Sequence, residues 1–344
     1  MSVVSLARAI ETGDLAELPS RRDEDWRWTD LRGLIREMPS AAKRGEVWGP
    51  GVFSQVVADD RVEVVNGVGP GERVLAGAGR TLELRLIADG PGTSSAHLRL
   101  IVEPDAQGAV LLETHEALSP GAVASFELQI DVAPGASLER IVIVETEADA
   151  VLVSLARVSL GAGARFSQTV IVNGSRRQRV ETRVEHPGQG AFARLDGVYL
   201  LADQRHADIT TVVTHGGMDG ATDQLIKGVV RDQGRGVFQG RIVVQPGADK
   251  TDARMGHHAL VLSDRAEVDA KPELEIFADD VACAHGNTVG ALDEDALFYA
   301  EQRGIPAEAA RAMLTEAFVG EVIDRIEHEG ARDVVRSWVA ERLQ

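Results

Sequence analysis

Short apolar stretches dominate the middle of the chain, from about residue 47 to residue 281. They are rich in Val, Ile and Leu and are separated by glycine, as in TLELRLIA, LERIVIVE and VLVSLARVSL. This pattern is typical of β-strands joined by tight turns. No segment with a helical period interrupts it, so a sheet built from βαβ units is not expected.

Gly-Ala pairs recur through this region at nearly constant spacing. Successive pairs lie 27, 28 and 27 residues apart, and each precedes a β-type run. Such a period, with glycine at the corners, predicts a solenoid in which each coil stacks on the previous one. An antiparallel sandwich, with turn signals every roughly 8–12 residues, is the competing interpretation. The four pairs begin at Gly108, Gly135, Gly163 and Gly190.

Both ends of the chain have a helical pattern instead. Residues 1–45 predict a small N-terminal helical region, and residues 291–344 predict a C-terminal helical domain. In the C-terminal part, acids after Asp293 mark a helix start, Gly304 breaks that helix and Pro306 opens the next one. Gly330 is expected to be the C-cap of that second helix, before a last helix over 331–343. The β-type core accordingly covers residues 46–290.

Composition and charge exclude several classes of function. The net charge of −18 argues against a nucleic-acid or anionic-membrane partner, because both require a basic surface. The apolar runs are far too short to span a membrane. A single cysteine excludes an internal disulfide, and the N-terminal residues lack the pattern of a signal peptide. A cytoplasmic location is expected.

The candidate chemistry lies at Cys283 and His285. On a strand, residues at i and i+2 point to the same face, so this thiol and imidazole could bind one metal ion such as iron, zinc or copper. Two ligands do not complete a metal site, so further ligands would have to come from elsewhere, including another chain. A buried cysteine beside a hydrogen-bonded histidine is the simpler alternative.

The remaining motifs give weaker indications of function. The sequence has no phosphate loop, GxSxG, HExxH or CxxC, so it gives no reason to expect ATP hydrolysis by this chain. The adjacent His257 and His258 are expected to point to opposite faces of a strand. His206 and His215 are not evidently paired. The basic run 175–179 is expected to be a charged loop between strands.

Several motifs resemble the SufB/SufD family of iron–sulfur cluster assembly proteins. The C-terminal signature is KPELEIFADDV, CAHGNTVG and LDEDALFY within Lys271–Tyr299, followed by Arg303–Ile305. Upstream segments over 195–215, 227–244 and 247–254 fit the same family, as does RRDEDWRWTDLRGL near the N-terminus. The form CAHGNTVG is most like the SufD branch. The resemblance implies a right-handed parallel β-helix as the core of a mainly β fold.

The resemblance also implies a non-catalytic scaffold role in a complex with a SufB-type paralogue and a SufC-type ATPase. His285 and Cys283 would face the SufB interface and contact a transient iron–sulfur cluster or iron, with no cofactor stably bound by the isolated chain. The C-terminal helices would dock onto the ATPase. The residues expected to take part in docking are Phe298, Tyr299, Arg303, Gly304, Ile305, Met313 and Phe318.

Two alternatives belong to other classes. A β-helix could bind or cleave polysaccharide, although the aromatic content of 4% and the helical ends speak against it. The chain could also be a purely structural homodimer with no metal role. An unpaired edge strand beside Cys283 would make self-pairing possible when the chain is isolated.

Overall fold

A computed structural model describes residues 4–43 and 49–343 of the chain. The N-terminal part contains α1 (Leu6–Thr12) and two short 3-10 turns, Leu15–Glu17 and Glu24–Trp26. The C-terminal part contains α2 (Glu294–Gln302), α3 (Ala307–Ile323) and α4 (Glu329–Leu343). Between them lie the strands β1 (Asp60–Val65), β2 (Glu72–Leu75), β3 (Thr81–Ala88), β4 (Gly92–Val102), β5 (Ala109–Ala117), β6 (Ala122–Val132), β7 (Ser137–Thr146), β8 (Val151–Leu160), β9 (Arg165–Val172), β10 (Arg177–His186), β11 (Phe192–Leu201), β12 (His206–His215), β13 (Ala221–Val230), β14 (Arg235–Val244), β15 (Asp252–Val261), β16 (Glu267–Ile276) and β17 (Ala282–Gly290).

The strands form a parallel β-solenoid of about eight turns, with two strands in each turn. Odd-numbered strands make one nine-stranded sheet, the odd sheet, and even-numbered strands make an eight-stranded sheet, the even sheet. Each pairing between these strands is parallel, which confirms the solenoid and rules out the antiparallel sandwich. The register places corresponding residues of successive coils directly above one another, as in Leu138 beside Phe166.

The Gly-Ala repeat marks one corner of the coil. All four glycines adopt a left-handed backbone conformation, with φ between 64° and 74°. Glycine reaches this region without the steric cost that a Cβ imposes on other residues. The alanine that follows is buried in every case, with an exposed fraction of 1% or less. The small side chain therefore closes the corner while the next strand begins.

Three apolar clusters hold the molecule together. The largest fills the inside of the solenoid along its length, for example with Leu98, Phe126 and Phe166. A second lies on the outer face of the odd sheet, beneath α3 and α4. A third lies on the outer face of the even sheet, beneath α1 and the residues that follow it. The two helical ends of the chain thus cover opposite faces of the solenoid.

The C-terminal helices begin and end close to the predicted positions, with one exception. Asp293 caps α2 by accepting hydrogen bonds from the amides of Asp295 and Ala296, and Gly304 (φ 85°) separates α2 from α3. Gly330 was expected to end the second helix, and this is wrong: α3 ends at Ile323 and Gly330 lies in the first turn of α4. Within the described ranges, no helix is long and apolar enough to cross a membrane.

Candidate functional site

The last coil of the solenoid, formed by β16 and β17, is an open edge among the described residues. β16 pairs only with β14, and β17 pairs only with β15. The remaining backbone N–H and C=O groups of both edge strands face outward, so each edge can accept a further strand. The coil also leaves the end of the solenoid interior uncovered, since most residues of β17 are exposed.

Cys283 and His285 lie on β17 at this open end. The backbone register sets Cys283 beside Ala253 and His285 beside Met255, and both of those neighbours are buried inside the solenoid. Cys283 is half-buried against the interior cluster, whereas His285 is exposed. The two residues therefore share the inner face of the last strand, as the i, i+2 spacing predicted. Burial raises the pKa of the Cys283 thiol, so at neutral pH it is protonated unless a metal ion displaces the proton.

A buried polar line leads inward from the same face of β17. The Asn287 Oδ1 accepts a hydrogen bond of 2.6 Å from His257 Nδ1. The His257 Nε2 then accepts a bond of 2.9 Å from the Tyr199 hydroxyl, two coils further in. Gly228 makes this reach possible, because a Cβ there would lie 1.9 Å from the Tyr199 ring. Burial lowers the pKa of His257 to about 4, so the imidazole is neutral at pH 7.

The adjacent histidines have the opposite orientations that their spacing predicts, whereas the two more distant histidines have separate partners. His257 and His258 do point to opposite faces: His257 is buried, while His258 is partly exposed and bonds to Thr288. His206 Nε2 donates to the backbone oxygen of Trp28 and is not paired with His215. His215 instead packs against the ring of His186, a neighbour that the sequence analysis did not consider.

The described residues contain no group of three or more His, Cys, Asp and Glu side chains that could hold a metal ion. Cys283 and His285 alone offer two metal ligands at the open end, a soft sulfur and an imidazole nitrogen. A tetrahedral site needs about two further ligands. These would have to come from a molecule that covers the end of the solenoid.

The N-terminal motif lies on the even sheet next to the last coil. The Glu24 carboxylate forms an ion pair of 2.8 Å with the ammonium group of Lys271 on β16. Asp25 pairs at 3.1 Å with Arg241 of β14, which also binds Glu273 of β16. The N-terminal segment thus connects to the strand that leads into Cys283 and His285. Sequence reasoning identified both motifs but not their contact.

Beneath this segment lies a buried charged network centred on Arg179. Its guanidinium donates a hydrogen bond of 2.7 Å to the Asp208 carboxylate and one of 2.8 Å to the Glu181 carboxylate. All three side chains are buried. The Thr29 hydroxyl donates a 2.6 Å bond to the same Asp208 carboxylate. Burial alone would raise the pKa of Glu181, but Arg179 and Arg183 hold it below its ordinary value. The expectation of a charged loop over 175–179 was wrong here, because β10 begins at Arg177 and Arg179 is fully buried.

The predicted docking residues are distributed over α2, α3 and the turn between them. Phe298, Tyr299 and Met313 are 62%, 60% and 55% exposed, although each is apolar or aromatic. Arg303 lies 4.7 Å from the centre of the Tyr299 ring. Ile305 and Phe318 are half-buried, and Phe318 packs against the cluster beneath α3 with the Lys227 ammonium 4.4 Å from its ring. Gly304 supplies the left-handed turn.

Comparison with known proteins agrees with this architecture. The family described as SUF system FeS cluster assembly, SufBD core domain, matches residues 85–318. The iron–sulfur cluster assembly protein SufD of Escherichia coli is 35% identical over 178 residues, which cover 52% of this chain and 42% of that protein. SufD of Bacillus subtilis is 29% identical over 157 residues, covering 46% and 36%. The match thus spans less than half of each of these two SufD proteins. A SufBD family protein of Mycobacterium tuberculosis is 26% identical over 365 residues, covering 96% of this chain and 91% of the relative.

Proposed function

Because the chain belongs to the SufBD family of SUF-system iron–sulfur cluster assembly proteins, we propose that it is a SufD-like scaffold subunit. It works with a SufB-type paralogue and a SufC-type ATPase in the cytoplasm, where a free thiol stays reduced. It performs no turnover of its own. Family membership favours this role over the polysaccharide-binding alternative.

The paralogue covers the open end of the solenoid. Its strands extend both sheets by pairing with β16 and β17, as edge strands allow. This places the inner face of β17 at the interface, where Cys283 and His285 contribute two ligands to iron or a nascent cluster. The paralogue supplies the others. The cluster is cargo that forms at the interface and leaves it.

The ATPase binds the exposed apolar residues of α2 and α3. Phe298, Tyr299 and Met313 are large side chains that the fold leaves exposed by more than half. Exposed aromatic and Met side chains are the ones enriched in the cores of protein interfaces. α3 and α4 are packed on the odd sheet, so a movement of the ATPase would be transmitted to the solenoid.

The observation that carries the proposal is the shared inner-face position of Cys283 and His285 on an unpaired edge strand. The test is anaerobic reconstitution with iron and sulfide of a complex with a SufB-type and a SufC-type protein. A double variant, Cys283→Ser with His285→Ala, should still join the complex but accumulate roughly ten-fold less cluster absorbance, the order of loss expected on weakening a metal site.

His258→Ala is the matched control, because His258 lies on the neighbouring strand and bonds to Thr288 on the outer surface, away from the inner face that carries Cys283 and His285. It should leave cluster accumulation unchanged. Equal cluster accumulation in the wild type and the double variant would exclude a ligand role for this pair. Failure of the chain to join either partner would overturn the scaffold role itself.

A further inference from the structure

A cavity of about 370 Å³ lies where α3 and α4 meet the carboxyl ends of β11, β13 and β15. Its apolar part includes Leu200 and Val229, which are register partners on the outer face of the odd sheet. Leu262, just after β15, and Leu343, at the end of α4, also line it. The described lining includes none of the proposed docking residues, and the proposed scaffold role makes no use of this cavity.

The apolar lining is only partly covered by the protein. Leu200 and Val229 are 7% and 4% exposed, whereas Leu262 is 37% exposed. Covering apolar surface that remains in contact with water is favourable, by an amount that grows with the area removed from water. A ligand with an apolar part would therefore gain free energy from lying against these side chains.

Three guanidinium groups border the same cavity. Arg231 follows β13, Arg311 lies on α3 and Arg342 lies near the end of α4. Among the described residues, Arg311 has no ion pair, and Arg231 has only a long one of 4.0 Å with Asp232. The positive charge of these two arginines is thus largely uncompensated, although the chain as a whole carries a net charge of −18. Such a group of cations favours an anionic ligand.

Arg342 is the least exposed of the three arginines. Its guanidinium carbon lies 3.6 Å from the centre of the Trp338 ring, and it pairs with Glu145 at 2.6 Å. Burial lowers the pKa of this guanidinium and Arg205 adds to the effect, while Glu145 opposes it. An anion in the cavity would favour the charged form of Arg342, as Glu145 already does from the other side.

Two acidic residues that line the cavity limit the charge of the ligand. The Asp232 carboxylate accepts a hydrogen bond of 3.0 Å from the amide of Asp203. Glu308 lies in the first turn of α3, where the helix dipole favours an acid. Both carboxylates would repel a doubly charged phosphate group more strongly than a singly charged head group. The lining therefore suits a monoanion.

We propose that this cavity binds a small amphipathic carboxylate, with its apolar chain against Leu200, Val229 and Leu262 and its carboxylate among the three guanidinium groups. Arginine is well suited to this role because its planar fork matches a carboxylate with two parallel hydrogen bonds. Pockets for small molecules have volumes of roughly 300–1,000 Å³. A cavity of about 370 Å³ is near the lower limit, so it suits a carboxylic acid of medium rather than long chain.

Calorimetric titration of the full-length protein with decanoate, below its micelle concentration, tests the proposal. Decanoate should bind saturably with one equivalent. Acetate has the same head group without the chain, and 1-decanol has the same chain without the charge, so each should bind at least ten-fold more weakly. Decanol binding as tight as decanoate binding would overturn the proposal, because the guanidinium groups would then have no role.

Arg311→Gln should weaken decanoate binding at least ten-fold, because it removes a cation that has no partner in the protein. Arg254→Gln is the matched control, since the Arg254 side chain is 72% exposed on β15 and lies outside the described lining of the cavity. It should leave the affinity unchanged. Circular dichroism establishes that both variants are folded.

Ala312→Leu should abolish decanoate binding, because the longer side chain fills the cavity while leucine still favours a helix. Ala309→Leu, at an exposed position of the same helix, is its control. If Ala312→Leu disturbs folding, Arg311→Gln decides the question. No saturable decanoate binding by the wild type, or unchanged binding by the folded variants, would overturn the proposal. Cluster assembly and ATPase binding involve other residues and are measured separately.

Discussion

The ring of Trp26 lies 4.4 Å from the guanidinium carbon of Arg179, a residue that is completely buried on the outer face of the even sheet. A guanidinium over an indole is among the stronger cation–π arrangements, and burial increases its effect. Arg179 also donates a hydrogen bond of 2.7 Å to the backbone oxygen of Asp25. The N-terminal segment is therefore fixed to the solenoid by a charged group as well as by apolar packing.

Arg179→Ala should destabilise the protein by about 3–5 kcal/mol, because the variant leaves Asp208 and Glu181 as buried carboxylates with too few cationic partners. Urea unfolding followed by circular dichroism measures the loss. Arg176→Ala is the control: Arg176 pairs with Asp149 at the surface, with both side chains at least half exposed, so its loss should cost less than about 1 kcal/mol. Equal effects of both substitutions would contradict the interpretation.

Gly228→Ala should destabilise the solenoid by about 1–3 kcal/mol or more, since the new methyl group overlaps the Tyr199 ring. Replacing Tyr199 by Leu in the same protein should recover part of this loss, because the overlap then disappears. Gly286→Ala, with nothing within 4 Å of the new Cβ, is the control. If the double variant is as unstable as the sum of the single variants, the two positions are not coupled.

The carboxyl of Asp196 makes stability depend on pH. Burial raises its pKa to about 7, although Arg325 and Arg194 oppose the shift and Asp223 adds to it. Its folded-state pKa is above the unfolded value of 3.8. The folded protein therefore retains the proton longer, and this contribution to stability is present below about pH 4 and is lost as the pH rises to about 7.

Asp196→Asn removes this titration. The free energy of unfolding of the wild type should fall relative to that of the variant between pH 4 and pH 7 and then run parallel above pH 8. Urea unfolding of both proteins across this range measures the difference. A difference that stays constant from pH 4 to pH 8 would show that Asp196 does not titrate in this window.

Phe298→Ala and Tyr299→Ala should each weaken binding of a SufC-type ATPase roughly ten-fold or more if these side chains are anchors of the interface. Isothermal titration calorimetry gives the affinities. Leu118→Ala is the control, because Leu118 is a comparably exposed apolar residue on the solenoid. Deleting all residues after Gly304 is a poorer test, since it would uncover the apolar outer face of the odd sheet.

The solenoid could be predicted from the sequence because its corner geometry repeats. Glycine at φ near 70° followed by a buried alanine recurs in four successive coils, and this local requirement is visible in the residues themselves. The positions of Cys283 and His285 on one strand face also follow from local spacing. Both inferences need no knowledge of what packs against the strand.

The polar interior could not be predicted in this way. Arg140 donates a hydrogen bond of 2.7 Å to the carboxylate of Glu113, which lies on the preceding coil of the same sheet, and both side chains are buried. The two residues are 27 positions apart in the sequence. Each therefore looks locally like an ordinary exposed charge on a strand of alternating pattern. The His186 and His215 pair was missed for the same reason. Only the register between coils brings such residues together.

The spacing between coils is not constant. Arg165, Phe192, Ala221 and Asp252 occupy one position in four successive odd strands, separated by 27, 29 and 31 residues along the chain. The strands β11, β13 and β15 nevertheless all contain 10 residues. The increase from 27 to 29 residues lies in the strand, because β9 contains 8 residues and β11 contains 10. The increase from 29 to 31 lies in a corner, because five residues join β12 to β13 and seven join β14 to β15. In this last part of the solenoid a corner can therefore gain residues while the paired strands keep their dimensions.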